Sequence, residues 1–205
     1  MVKFPFSLRG YLYEKSLDDM RSAFQATMRA LHTEHENNLA EMAAIQRREA
    51  EGQVGAEYDD DGEFLYCHTD AQEMRIDQSE FALRSARNAF VVMLHHLWEK
   101  AVDGWREAKP KDNYNAAKAY SWLEDHGFKI DRDALEFLRM ACNAIKHNNS
   151  DLWEKHKHDG LFAVSDNHVQ GVDFATALRL DDRHIEDLID ALKFSGLHLQ
   201  STTGL

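Results

Sequence analysis

From Leu17 onward the apolar residues recur every three or four positions. Leu17, Met20, Phe24, Met28, Leu31, Leu39, Met42 and Ile45 form one stripe, and His35 fills the gap between Leu31 and Leu39. That period predicts an amphipathic helix of roughly five heptads, about 50 Å long. Ser16 is the expected N-cap, with Asp18 and Asp19 favourable in the first turn. Residues 1–15 are then read as an irregular, aromatic-rich N-terminus.

The stripe stops at Gly52. Residues 52–68 open with GQVGAEYDDDGEFLY and carry three consecutive Asp, which reads as a solvated acidic loop. A second helix is expected from about Thr69 to Trp105, with Phe81, Phe90, Met93, Leu94, Leu97, Val102 and Trp105 on its apolar side. The run Ala89–Leu97 is apolar almost all round and belongs at the centre of a core. Lys109-Pro110 is a stop signal. A shorter helix follows from about Tyr114 to His126, closed by Gly127.

Asp131 caps the next helix, which turns Leu135, Leu138, Cys142 and Ile145 inward. Beyond Trp153, the clusters Leu161–Val164 and Val172–Leu180 flank Ser165-Asp166-Asn167 and predict a small β-hairpin. Asp181 or Asp182 caps a last helix carrying Ile185, Leu188, Ile189 and Leu192 and ended by Gly196. Residues 197–205 read as a frayed tail. The expected fold is all-α: one domain over 1–205, an antiparallel helical bundle of two long helices, a shorter motif helix, and the hairpin before the C-terminal helix.

Composition narrows the class. The chain has two Pro in 205 residues, which favours helices. No apolar run approaches ~18 residues, so no membrane span is expected. The first residues lack the apolar core of a signal peptide. Cys67 and Cys142 are too few for a disulfide framework. The chain therefore reads as cytosolic and reduced. Its net charge of −12 disfavours nonspecific DNA binding and suits a basic partner protein, while a local basic site on RNA stays open. No P-loop, dinucleotide fingerprint, Gly-x-Ser-x-Gly or zinc-type Cys pair is present.

The chemistry concentrates on the motif helix. Arg139, Asn143 and His147 are spaced by four and share one helix face. Arg can hold a phosphate oxygen, and His can move a proton near neutral pH. A plain reading is also available: cations favour a helix C-terminus on dipole grounds, and Asn148 and Asn149 are ordinary exit residues. Two His/Glu pairs, His32 with Glu36 and His95 with Glu99, could bind zinc or iron if they faced each other in a bundle. Against this, HTEHENN around His35 reads as a solvated face. The run Glu154-Lys155-His156-Lys157-His158 is either a cationic patch for phosphate or an exposed connector. Tyr114, Tyr120 and Trp122 are expected in the core, with Trp153 the aromatic kept apart as a stacking candidate.

The segment LEFLRMACNAIKHNNS resembles the signature helix of the HEPN superfamily (higher eukaryotes and prokaryotes nucleotide-binding domains). The resemblance covers about 20 residues closely. It implies a small all-helical domain of the kind common in bacterial toxin–antitoxin and phage-defence systems. It also implies a metal-independent endoribonuclease, needing no cofactor, that works as a homodimer on RNA and has a possible antitoxin or other protein partner. His147 would be the general acid or base. Arg139 would stabilise charge on the phosphate, and Asn143 would orient the His or bind phosphate. Lys146, Asn148, Lys155 and Lys157 would help to bind substrate. The family places Arg where this chain has Cys142, and the nearest upstream Arg is Arg139, one turn earlier. One chain then separates Arg139 and His147 by roughly 12 Å along the axis. Two antiparallel copies of the helix would bring them together.

Overall fold

The computed structural model describes residues 6–53, 55–106, 115–164 and 171–197. They form an all-α protein. Its helices are α1 (Phe6–Ala50), α2 (His68–Trp105), α3 (Ala116–Asp125), α4 (Arg132–His147), α5 (Asp151–His156), α6 (Phe174–Ala177) and α7 (Asp182–Ser195). One two-stranded sheet, β1 (Ala56–Tyr58) with β2 (Phe64–Cys67), interrupts them. No helix among the described residues is long and apolar enough to cross a membrane. The chain divides into two compact units: residues 1–24 with 87–205, and residues 25–86.

The first unit holds the motif helix. Tyr13, Leu17 and Phe24 of α1 are buried with Phe90, Val91, Leu94, Trp98, Val102 and Trp105 of α2. Tyr13 stands edge-on to Trp105 at 4.9 Å, and Phe24 edge-on to Phe90 at 5.1 Å. Partners that rise along one helix fall along the other, so the two helices run antiparallel within this unit. Met93, expected in the core, is 48% exposed, because α2 buries one side only and the apolar run extends past it.

α1 starts ten residues before the expected cap. Tyr13 lies one turn ahead of Leu17 and extends the same stripe, so the first turns have their own buried anchor. Ser16 is inside the helix, and its hydroxyl donates to the Leu12 carbonyl at 2.7 Å. The irregular reading of 1–15 is therefore corrected for residues 6–15.

α4 is specified at both ends. The Asp131 carboxylate accepts the Ala134 N–H at 3.0 Å, and the Asp131 N–H donates to the buried Ser195 hydroxyl at 2.9 Å. Leu135, Leu138, Ala141, Cys142 and Ala144 face the core. At the exit Asn148 takes the left-handed conformation, φ 52°. Its amide donates to the Val172 carbonyl at 2.8 Å and accepts the Phe174 N–H at 2.7 Å, which ties α6 to the end of α4. α4 packs against α5, α6 and α7.

The hairpin expected at 161–180 is replaced by an isolated bridge between Phe162 and Leu178. The Asp173 carboxylate accepts the N–H groups of Ala175 and Thr176, and this cap folds the would-be second strand into α6. Ser165–Asn167 lie outside the described residues, as do Lys109-Pro110, Tyr114 and the tail from residue 198. Leu197, assigned to the tail, is fully buried. α7 has a capping box between Asp181 and His184. It ends at Gly196, where an added Cβ would lie 2.2 Å from the Tyr13 ring.

In the second unit the α1 and α2 segments also run antiparallel. His35 Nδ1 meets the Ser79 hydroxyl at 2.7 Å, Gln72 donates to the Asn38 carbonyl at 2.7 Å, and Thr69 donates to Glu49 at 2.5 Å. The acidic loop is a hairpin, with Ala56 opposite Cys67 and Tyr58 opposite Phe64. Asp59 makes it turn: its carboxylate accepts the Asp61 and Glu63 N–H groups, and Gly62 supplies φ +81°.

Candidate functional site

About three turns of α4 open onto a cleft of about 620 Å³ in the first unit. From α4 it is lined by Arg132, Asp133, Glu136, Arg139 and Asn143, from α2 by His95 and Glu99, and from the start of α3 by Asn115, Ala116, Ala117 and Tyr120. α3 is held there by Asn115, whose side chain accepts the Lys118 N–H at 2.9 Å.

Both arginines in the cleft are engaged by carboxylates. Arg139 makes a two-pronged contact with Glu136, Nε to Oε2 at 3.0 Å and an Nη2 contact to Oε1 at 2.5 Å. Arg132 grips Glu124 in the same way, at 2.7 and 2.5 Å, with its guanidinium 5.8 Å from the Tyr120 ring centre. The Arg139 guanidinium holds the Glu136 carboxyl below its usual range, with Lys155 adding to the effect. Arg132 does the same to Glu124. Burial pushes the Tyr120 hydroxyl up to about 12, so it stays protonated.

His95 is buried, and burial holds its imidazole below the ordinary histidine value against the opposing pull of Glu99. Its Nδ1 lies 3.4 Å from Glu99 Oε2, and the Nδ1 of His96 lies 3.0 Å from the same oxygen. Lys146 Nζ reaches His96 Nε2 at 3.3 Å.

The expected stripe is thus divided. Arg139 and Asn143 line the cleft, whereas His147 is exposed in the last turn of α4 and is not among the lining residues. Cys142, at the family's Arg position, is 1% exposed and faces the core, where burial raises its thiol pKa. Asn148 uses its amide to hold α6. Lys155 is exposed on α5; Lys157 lies 3.6 Å from Glu154 and 5.2 Å from the Trp153 ring centre. Trp153 is only 5% exposed, so it joins the core against Phe174. The exposed-connector reading of 154–158 is replaced in part by the helix α5.

Of the two expected His/Glu pairs, His95 with Glu99 forms. Among the described residues the clustered donors are His95, His96 and Glu99, and His32 and Glu36 are not part of that group. Arg132, Glu136 and His96 carry no expectation from the sequence, and Tyr120, expected in the core, lines the cleft as well. For two of them a signal was present: Arg132 precedes Arg139 by seven residues and Glu136 precedes it by three, both spacings of one helix face.

A phosphate could exchange for either carboxylate on these guanidinium groups, since both anions accept the same fork of N–H donors. In comparison with known proteins the chain matches no family model, no curated protein and no solved structure.

Proposed function

We propose that the chain is a HEPN-like protein of bacterial defence or toxin–antitoxin type that binds RNA phosphate in the cleft beside α4. The observation that carries this reading is that Arg139 and Asn143, singled out by the motif, open on one cleft together with Arg132. An incoming phosphodiester takes the Arg139 fork from Glu136, and Asn143 supplies a neutral donor. Lys146 and Lys155 add positive potential around it.

Cleavage asks for more. His147 lies at the exposed end of α4, so it serves a phosphate held by Arg139 of a second copy, with the two helices crossing antiparallel. In that homodimer His147 moves the 2′-OH proton and Arg139 stabilises the charge on the phosphate, with no metal required. A second reading is favoured by the burial of Cys142: the helix keeps the scaffold and the phosphate contacts but has lost catalysis, and the protein acts as a non-catalytic module toward RNA or a basic partner protein.

The test uses short fluorescent single-stranded RNA in EDTA with the wild type, Arg139→Ala and His147→Ala. The nuclease reading expects cleavage by the wild type, lost in both variants. The non-catalytic reading expects binding without cleavage, weakened about tenfold or more in Arg139→Ala, the loss of one charged hydrogen-bonding group. A wild type that neither binds nor cleaves RNA overturns the RNA-binding proposal.

A further inference from the structure

On α2 the sequence His95-His96-Leu97-Trp98-Glu99 places two imidazoles one turn before a carboxylate. Both Nδ1 atoms approach the same oxygen, Glu99 Oε2, at 3.4 and 3.0 Å. One ligand atom from each of the three residues lies within 4.8 Å of the others. The 3.4 Å separation is long for a hydrogen bond. It is the spacing of donors that share an ion: with bonds of about 2.0–2.1 Å, adjacent ligands stand about 2.8–3.0 Å apart at octahedral angles and about 3.3–3.4 Å at tetrahedral ones. We propose that His95, His96 and Glu99 form a binding site for a divalent transition-metal ion, zinc in the first instance, and that Lys146 leaves His96 when the ion enters.

The ligand chemistry selects the ion. Two imidazoles and one carboxylate suit zinc, cobalt or ferrous iron, whereas magnesium and calcium want oxygen ligands throughout. Three protein ligands leave at least one coordination position for water or a guest. His95 and Glu99 line the cleft, so that position is reached from it.

The surrounding charges explain why Lys146 takes part. Arg139 and Lys146 both oppose positive charge at His95. Glu136 is the near counter-charge to Arg139. Lys146 is in direct contact with the group, donating to His96 Nε2 at 3.3 Å. That bond needs a lone pair on Nε2, so the ring carries its proton on Nδ1, which donates to Glu99. An ion on Nδ1 displaces that proton. In the neutral metal-bound ring the proton sits on Nε2, which can no longer accept from Lys146. The ion and the Lys146 contact therefore exclude one another. Lys146 is exposed on the last turn of α4, next to His147, so releasing it costs little. Metal at α2 would then change the charge pattern at the end of the motif helix.

The experiment takes the full chain without a polyhistidine tag, stripped with EDTA and exchanged into metal-free buffer. Cobalt(II) is titrated in and visible d–d absorption followed, then zinc(II) is added to displace it. One equivalent of cobalt, displaced by zinc and not by magnesium, is expected. His96 is about half exposed, so His96→Ala leaves the core intact and circular dichroism checks the fold. That variant and Glu99→Gln should each bind more than about tenfold more weakly, since even indirect partners of a ligand are worth that much. Lys146→Gln should bind several-fold more tightly. No cobalt spectrum in the wild type, or the same affinity in His96→Ala, overturns the site. Unchanged affinity in Lys146→Gln overturns the role of the lysine. These readouts are independent of RNA, so their failure is separate from failure of the nuclease test in EDTA.

Discussion

The two units of the chain use their apolar residues in opposite ways. Among the described residues of 25–86 the buried apolar side chains are Met28, Met42, Ile45 and Leu83, four in all. The same segment exposes Leu39, Tyr58, Phe64, Leu65, Tyr66, Met74 and Phe81, seven in all. The unit with α4 instead buries complete faces, including Trp98, Leu94, Leu135, Leu138, Ile185 and Leu192. What joins the helices of the smaller unit is largely polar: His35 with Ser79, Gln72 with the Asn38 carbonyl, and Thr69 with Glu49. Hydrogen bonds each contribute little net, whereas a buried aromatic contributes several kcal/mol. Periodicity alone does not set local stability. Two stretches of one helix with the same period can differ in how much of their stripe is covered.

The sharpest way to break the comparison is to remove one large apolar side chain from each unit. Trp98→Ala should cost about 3–5 kcal/mol in a urea melt. Phe81→Ala, at 58% exposed, should stay within about 0.5 kcal/mol. Equal losses would show that the exposed face of the smaller unit is covered in solution. Next is Gly196→Ala. The new methyl meets the Tyr13 ring, and an overpacking cost of about 1–3 kcal/mol is expected in the same assay.

Asn148→Gly preserves the left-handed exit of α4 but deletes both bonds to the 172–174 backbone. A loss of about 1–2 kcal/mol is expected, with amide exchange speeding up in α6 before α4. The smallest effect concerns pH. Arg139 depresses the Glu136 pKa, so the pair's stabilisation is fully present above the ordinary carboxyl value of about 4.3 and is lost as pH falls through the folded value. Both groups are about a third exposed, which limits the effect to below about 1 kcal/mol. The stability gap between wild type and Glu136→Gln should be visible at pH 7 and narrow as the pH falls below the ordinary carboxyl value. A gap that widens on acidification would reverse the assigned sign.

The helices were legible where a stripe and a cap coincide. Asp131, Asp181 and Gly196 bound α4 and α7 as read, because each offers a side-chain acceptor or a missing Cβ at the boundary. The start of α1 was not legible, since Tyr13 continues the stripe through a stretch whose composition looked irregular. The acidic loop concealed a hairpin because its Asp59 organises a turn as well as facing water. At 161–180 the Asp173 cap outweighed a β-like apolar cluster. Of the site, Arg139 and Asn143 were readable from helical spacing. His95 was readable only through its partner Glu99. His96 shares the one-turn spacing to Glu99, whereas the place of Tyr120 in the cleft depends on which elements pack together, and no local spacing encodes that.

The contact between Tyr13 and Gly196 bears on how the molecule is made. The Tyr13 hydroxyl donates to the Leu192 carbonyl, 179 positions away, in a buried setting. Arg21 to Asp190 and Lys193 to Asp18 join the same two helices across similar distances. On a ribosome, α1 emerges first, and the face around Tyr13 must wait for α7 to be synthesised. At about 5–20 residues per second that delay is roughly 10–35 seconds. During it Tyr13 can already meet Trp105 of α2, but the side of α1 that faces α7 is open to capture by a chaperone. A nascent chain arrested before residue 192 should therefore remain protease-sensitive around Tyr13 even where α2 has already formed.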